Sequence, residues 1–363
     1  MKTRFEKVRK HTTGLCENIP KDLMSMQPRA EVSPPKWHLG HTTWFFEKVI
    51  LCEYFENYQV YDSEFHFSFN SYYKSAGEHL SQADRGSLLM DCEKIYKYRE
   101  YVDQHILELL NNKNCENLKH LLEIGINHEE QHQELLQMDL KAIYSDSIDT
   151  YPENFSLDSN KKDQWFKITE GLYTFGYGGS GFHYDNEGPQ HQRYQYGALI
   201  SRDLVTKSEY QNFISSGAYK NPLYWLSKGW DWVCENDVKS PLYWDESDMS
   251  LPVSHISFFE ADAYANFMGC RLPSEFEHEL LDVNFKSSSK LWAWTNSHYS
   301  AYPRFKKFDG VLSEYNGKFM CNQFVLRGGC AATPEGHWRP TYRNFYEPHQ
   351  RWMYSGIRLA KDL

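Results

Sequence analysis

His128-Glu129-Glu130-Gln131-His132 lies in the middle of Leu121–Tyr144, a stretch whose apolar residues recur at helical spacing. A helix brings residues four apart onto one face. His128 and His132 therefore point the same way, and two imidazoles so placed chelate a divalent metal with little reorganisation. The string also satisfies the His-Glu-x-x-His pattern, in which the histidines hold zinc and the glutamate serves as the general base of a hydrolase. The metal and its chemistry have to be read from the residues around this helix.

Helical spacing extends over the first half of the chain. Phe5–Asn18 is amphipathic, and Ser33-Pro34-Pro35 supplies start signals for a helix over Lys36–Glu56. Asp84–Leu110 and Cys115–Tyr144 repeat Leu, Ile, Tyr and Met at helical intervals. Four such helices predict a bundle over residues 1–150, whose interior is a common seat for metals. The connection Asn57–Ala83 carries His66, Asn70, Tyr72 and Tyr73, and a loop this long reads as functional or as a lid. Residues 151–165 are polar and aperiodic and read as a linker. Over 166–363 glycine and proline punctuate short β-like runs, among them Gly171–Gly176 and Phe324–Arg327, with helical pieces at Thr206–Ser215 and Phe258–Met268. The expected fold class is α+β, a helical bundle followed by an irregular α+β domain.

Composition narrows the function. Lys+Arg 39 against Asp+Glu 49 gives a formal charge of −10 with no long basic run, which excludes a nucleic-acid surface or attraction to anionic membrane. The start of the chain lacks the apolar core of a signal peptide, and a cytoplasmic protein is expected. Eight cysteines without a Cys-x-x-Cys pair read as reduced thiols. Cys330, after Gly328-Gly329, reads as a small buried hydrophobe. Aromatic residues make up 16%, so flat rings with polar handles carry much of the burial.

A working metal site needs a third ligand and an open position. The segment Pro35-Lys36-Trp37-His38-Leu39-Gly40-His41 offers two imidazoles three apart, and spacing alone does not choose between His38 and His41. Three neutral imidazoles suit either zinc with a water or iron(II) with room for oxygen and a substrate.

Together these motifs resemble the ergothioneine-type sulfoxide synthases. The resemblance is carried by Trp37-His38-Leu39-Gly40-His41-Thr42-Thr43-Trp44-Phe45-Phe46-Glu47, by His128 to Leu135, and by Phe182-His183-Tyr184-Asp185-Asn186-Glu187-Gly188-Pro189. Trp225 to Trp230, Val325-Leu326-Arg327-Gly328-Gly329-Cys330, Thr341-Tyr342-Arg343-Asn344-Phe345 and Arg351 to Ala360 continue it in the family's order. It implies a DinB-like bundle joined to a formylglycine-generating-enzyme-like domain of the C-type-lectin kind. It implies an iron(II) centre held by His41, His128 and His132, where a cysteine or γ-glutamylcysteine sulfur is joined, with O2, to the imidazole C2 of Nα-trimethylhistidine. Tyr72 and Tyr73 would be the active-site tyrosines, and Gln131 would face the imidazole. Tyr342, Arg343, Asn344, Phe345 and Tyr346 would bind the rest of the substrate. Some relatives carry an acidic residue at the position of Tyr346, so free cysteine is the expected sulfur donor. The segment Arg271 to Glu279, with Ser274 and His278 departing from the family pattern, is expected to pack rather than react. An ovothiol-type enzyme acting at C5 of histidine, and a zinc hydrolase using His128-Glu129-His132, are the alternatives; no glycine-rich methyltransferase segment accompanies the first. On this reading His41→Ala abolishes metal binding, whereas His38→Ala costs mainly packing. Equal metal retention in the two variants would overturn that choice of ligand.

Overall fold

The computed structural model describes residues 1–113, 115–145, 165–285 and 289–363. The linker expected over 151–165 lies outside the described residues apart from Trp165, which opens a strand. The chain divides into two compact units. One comprises the described residues up to 145 together with Asp309–Tyr315 and Ala332–His337; the other holds the remainder.

In the first unit the helices are α1 (Lys2–Cys16), α2 (Pro35–Phe46), the short α3 (Cys52–Tyr54) and α4 (Phe65–Phe69), α5 (Cys92–Asn112) and α6 (Glu116–Ser145). Pro35 opens α2, where its missing N–H costs nothing. Every residue of α2 is buried, as befits a helix surrounded by neighbours rather than laid on a surface. The expected single helix over Lys36–Glu56 is broken by a π-helical turn at Glu47–Leu51. There the Glu47 carboxylate accepts the hydroxyls of Tyr58 and Tyr98, both at 2.7 Å. The third long helix starts at Cys92 rather than Asp84. Asp91 caps it by accepting the Glu93 N–H, and Gln82–Ser87 forms a separate 3-10 turn.

In the second unit β1 (Trp165–Ile168), β4 (Ala198–Ser201) and β9 (Ala360–Asp362) form an antiparallel sheet in the order β1-β4-β9. Strands β2 (Gly171–Phe175) and β3 (His191–Gln195) make a hairpin. A third sheet runs in the order β7-β6-β5-β8, from β5 (Trp292–His298), β6 (Phe324–Arg327), β7 (Asn344–Tyr346) and β8 (Ser355–Gly356), with β5 and β8 parallel. Helices α7 (Lys207–Ser215) and α9 (Phe258–Phe267) start at Thr206–Glu209 and Ser257–Glu260 capping boxes. Those two were legible in the sequence; α8 (Ser227–Glu235) and α10 (Glu275–Phe285) were not. Helix α10 carries glutamates as anchors: Glu275 pairs with Arg343, Glu277 with Arg271 and Glu279 with Arg327. This segment packs, as expected. The architecture is α+β, with a helical first half and sheets in the second.

Two glycines let helices of the first unit close on aromatic rings. A Cβ on Gly40 of α2 would lie 2.1 Å from the Phe69 ring, and one on Gly125 of α6 would lie 2.5 Å from Phe46. Gly40→Ala is therefore expected to destabilise the protein by about 1–3 kcal/mol through overpacking, read as a lower urea midpoint. An unchanged midpoint would show that Phe69 can move aside freely.

Candidate metal centre

The one group of three metal-competent side chains among the described residues is His41, His128 and His132, all buried. Each offers one ring nitrogen, and those atoms lie within 4.8 Å of one another. Helix α2 supplies the first and α6 the other two.

Hydrogen bonds fix how the rings are turned. His41 Nδ1 lies 2.6 Å from the Phe69 carbonyl, which can only accept, so Nδ1 carries the proton and Nε2 presents its lone pair. That Nε2 faces His128 Nε2 at 3.2 Å, while the buried His128 Nδ1 has no hydrogen-bond partner. Two lone pairs directed at each other repel unless a proton or a metal lies between them, so the donor set fits a cation that prefers imidazole. Aromatic packing holds the planes: Trp37 stacks on His41 at 4.6 Å, and Phe45 on His128 at 4.3 Å.

Burial pushes all three histidines well below the usual imidazole range, with neighbouring imidazoles adding to it at His41 and His132; His128 falls to about 3. They are neutral near pH 7, the state a ligand requires.

His38 is not a mere packing residue. Its Nδ1 lies 2.9 Å from His132 Nδ1 and its Nε2 2.8 Å from Asp139 Oδ2. These two bonds add to the expectation that His38 serves mainly packing.

Glu129 points elsewhere. Its carboxylate accepts Thr12 at 2.6 Å, Arg99 at 2.8 Å and Arg9 at 2.9 Å, and it is fully buried. Against burial, which raises it, the two guanidinium groups bring this carboxyl down to about 2. Residues adjacent in a helix do not share a face. The zinc-hydrolase alternative therefore loses its general base.

The tyrosines come from the loop before α5. Tyr73 is fully buried and Tyr72 half-buried, with hydroxyls 3.3 Å apart. The Tyr73 ring lies 5.7 Å from that of Trp44. Burial holds the Tyr73 phenol well above its ordinary value, so it keeps its proton. The loop is fastened by Glu314, whose carboxylate accepts the backbone N–H of Lys74 and Ser75 at 3.2 and 2.8 Å. Neighbouring Tyr315 donates its hydroxyl to Gln131 Oε1 at 2.6 Å, and its ring lies 5.8 Å from that of His128.

Sequence reasoning missed Tyr315, Asp139 and Arg85. Arg85 is a buried cation 3.5 Å above the Trp37 ring, pulled down to about 9 by burial, opposed by Asp139. Its Nε has no hydrogen-bond partner. Helical spacing places Arg85 in a helix over Asp84–Leu110, whereas it sits in the 3-10 turn Gln82–Ser87.

The remaining predicted residues belong to the second unit. Arg343 is buried and gives its donors to Glu275, to the Asn186 carbonyl and to the Ser300 carbonyl. Tyr342 is buried, with its ring 5.3 Å from Trp292. Asn344, Phe345 and Tyr346 form β7; Phe345 stacks on Tyr299 at 4.0 Å, with Phe319 at 5.9 Å.

Comparison with known proteins agrees with this picture. Residues 152–280 match the Sulfatase-modifying factor enzyme 1-like domain, in agreement with an α+β chain that has a helical first half. The chain is 28% identical over 242 residues to hercynine oxygenase of Mycolicibacterium smegmatis, covering 49% of this chain and 56% of that protein. It is 27% identical over 239 residues to hercynine oxygenase of Mycobacterium tuberculosis, with the same shares of each chain. The matched region thus spans about half the length of these curated relatives. The chain is similar to hercynine oxygenases over about half of its length.

Glu129→Gln should cost about 3–5 kcal/mol of stability, because it leaves Arg9 and Arg99 buried against a neutral group. Chemical denaturation reads this directly. A variant of undiminished stability that had lost turnover would restore Glu129 as a catalytic base.

Proposed function

We propose that the chain is an iron(II)- and O2-dependent sulfoxide synthase that joins the sulfur of cysteine to the imidazole C2 of Nα-trimethylhistidine. The observation that carries this reading is the trio of buried, neutral imidazoles within 4.8 Å, in a chain similar to hercynine oxygenases. His41, His128 and His132 would hold the ion. Three neutral ligands leave iron(II) its charge and open positions, and iron so held supplies the redox chemistry that O2 requires. The balance is simple: the thiol loses its proton, the imidazole loses the hydrogen at C2, and O2 takes up four electrons. One oxygen atom ends on sulfur and the other leaves as water.

The chain's own residues have definite tasks. Tyr73, a buried phenol that keeps its proton, is suited to deliver it from the hydroxyl oxygen to reduced oxygen. Tyr72 shares a hydrogen bond with it. Tyr315 fixes which end of the Gln131 amide accepts, so the other end is set as a donor toward an imidazole nitrogen. The Arg85 guanidinium, close enough to act on the pKa of His41 and His132, suits the carboxylate of an amino-acid substrate. Asn344, Phe345 and Tyr346 are assigned to the trimethylammonium and carboxylate end, since aromatic faces attract a quaternary ammonium. Tyr342 and Arg343 are assigned to the same substrate end by the resemblance, with the Arg343 guanidinium held by Glu275.

The test is anaerobic reconstitution with iron(II), followed by O2, cysteine and trimethylhistidine, with mass spectrometry of the products. A C–S coupled sulfoxide is expected. A 5-substituted product from histidine itself would move the enzyme to the ovothiol type, and γ-glutamylcysteine supplied in place of cysteine settles the donor. Tyr73→Phe should shift products toward oxidised cysteine or slow coupling by about 100-fold, the usual worth of a positioned proton donor. Unchanged product ratios and rate would remove Tyr73 from that role.

A further inference from the structure

The three imidazoles of the cluster are held in three different ways. A backbone carbonyl takes the second nitrogen of His41, and His128 has ring stacking but no hydrogen bond at Nδ1. His132 is tied to a second imidazole, His38, which is tied to Asp139. We infer that His38 and Asp139 form a positioning pair that sets the tautomer and plane of His132, and thereby how tightly the cluster holds its metal. The inference rests on the metal reading above.

With Asp139 as the carboxylate, the geometry sets the direction of each proton. Asp139 lies seven residues after His132, two turns on along the same face of α6, and His38 reaches from α2 to touch both. Asp139 Oδ2 accepts the Ser33 backbone N–H at 3.0 Å as well as His38 Nε2 at 2.8 Å, so it is an acceptor in both bonds. A His38 ring with a single ring proton then carries it on Nε2 and offers a lone pair at Nδ1. Across 2.9 Å, His132 Nδ1 must be the donor, which leaves His132 Nε2 bare toward the cluster. Without the carboxylate, nothing prevents the opposite arrangement, with the His132 proton on the nitrogen that should bind metal.

The pair is also closed to solvent. His38 and Asp139 are 1% and 2% exposed, so water has little access to replace either partner. A metal-bound imidazole ordinarily donates its other N–H to a carboxylate, carbonyl or water, which orients the ring and raises its basicity. Here a second imidazole, on α2, relays the influence of the α6 carboxylate back to His132 on the same helix. Neither residue touches substrate on this account; both act through His132.

Cobalt(II) titration of the metal-free protein, followed by its visible absorption, tests the inference alongside thermal melting. His38→Leu fills the space but breaks both bonds, and should weaken cobalt binding by about 10–100-fold. His38→Gln can donate to Asp139 and accept from His132, and should bind within about threefold of the wild type, a rescue that packing alone would not produce. A leucine variant that melts cooperatively and binds cobalt as the wild type does overturns the inference. Should that variant fail to fold, Asp139→Asn takes its place: about tenfold weaker binding supports the pair, and an unchanged Kd overturns it. A wild-type protein that takes up no cobalt overturns the metal reading and this inference together, whereas wild-type uptake with unchanged variants overturns the inference alone.

Discussion

The grip of Glu129 on Arg9 and Arg99 is the constraint from which the metal centre follows. A carboxylate shut between two guanidinium groups of α1 and α5 fixes the rotation of α6 about its axis. Each residue along a helix turns the side chain by about 100°, so a helix that commits Glu129 to α1 and α5 must present His128 and His132 to α2. Separating the three charges would strand at least one in the interior, at a cost larger than most single contacts. The helix cannot rotate without breaking this arrangement, and the imidazoles inherit its rigidity.

Close packing does the finer placement. Gly40 lets Phe69 lie against α2, which brings the Phe69 carbonyl within 2.6 Å of His41. Trp37 stacks on the same ring, and Arg85 over the Trp37 ring adds a buried cation beside the three imidazoles. The loop with Tyr72 and Tyr73 is held by Glu314, a residue about 240 positions later in the chain but part of the same compact unit. The second unit uses the same device as the first: buried arginines paired with glutamates, as at Arg327–Glu279 and Arg339–Glu187. An aromatic-rich interior with many loops gives few continuous apolar layers, and such pairs hold its turns in register.

What the sequence made legible was local. The four-residue spacing of His128 and His132, the Pro35 helix start and the helical pieces at Thr206–Ser215 and Phe258–Met268 are short-range signals. The length of the connection before α5 marked it as functional before its tyrosines could be placed. The choice between His38 and His41 was not legible from spacing, because both project from one buried helix and both reach α6. Only the partner atoms separate them: a carbonyl and an open cluster for His41, a carboxylate for His38. Asp139, Arg85 and Tyr315 escaped notice for a similar reason. Each looks like ordinary helix or loop surface until the chain is folded. The start of α5 was misplaced because Asp84 falls within a separate 3-10 turn at Gln82–Ser87, and the capping side chain is that of Asp91.

The central claim is that His41, His128 and His132 jointly bind one metal ion. X-ray absorption at the iron edge of the anaerobically loaded protein tests it most directly, compared with the His128→Ala variant. The account predicts one iron per chain, the multiple-scattering pattern of three imidazoles in the wild type, and loss of one imidazole with much weaker binding in the variant. Iron bound without imidazole scattering, or bound equally by the variant, would contradict it.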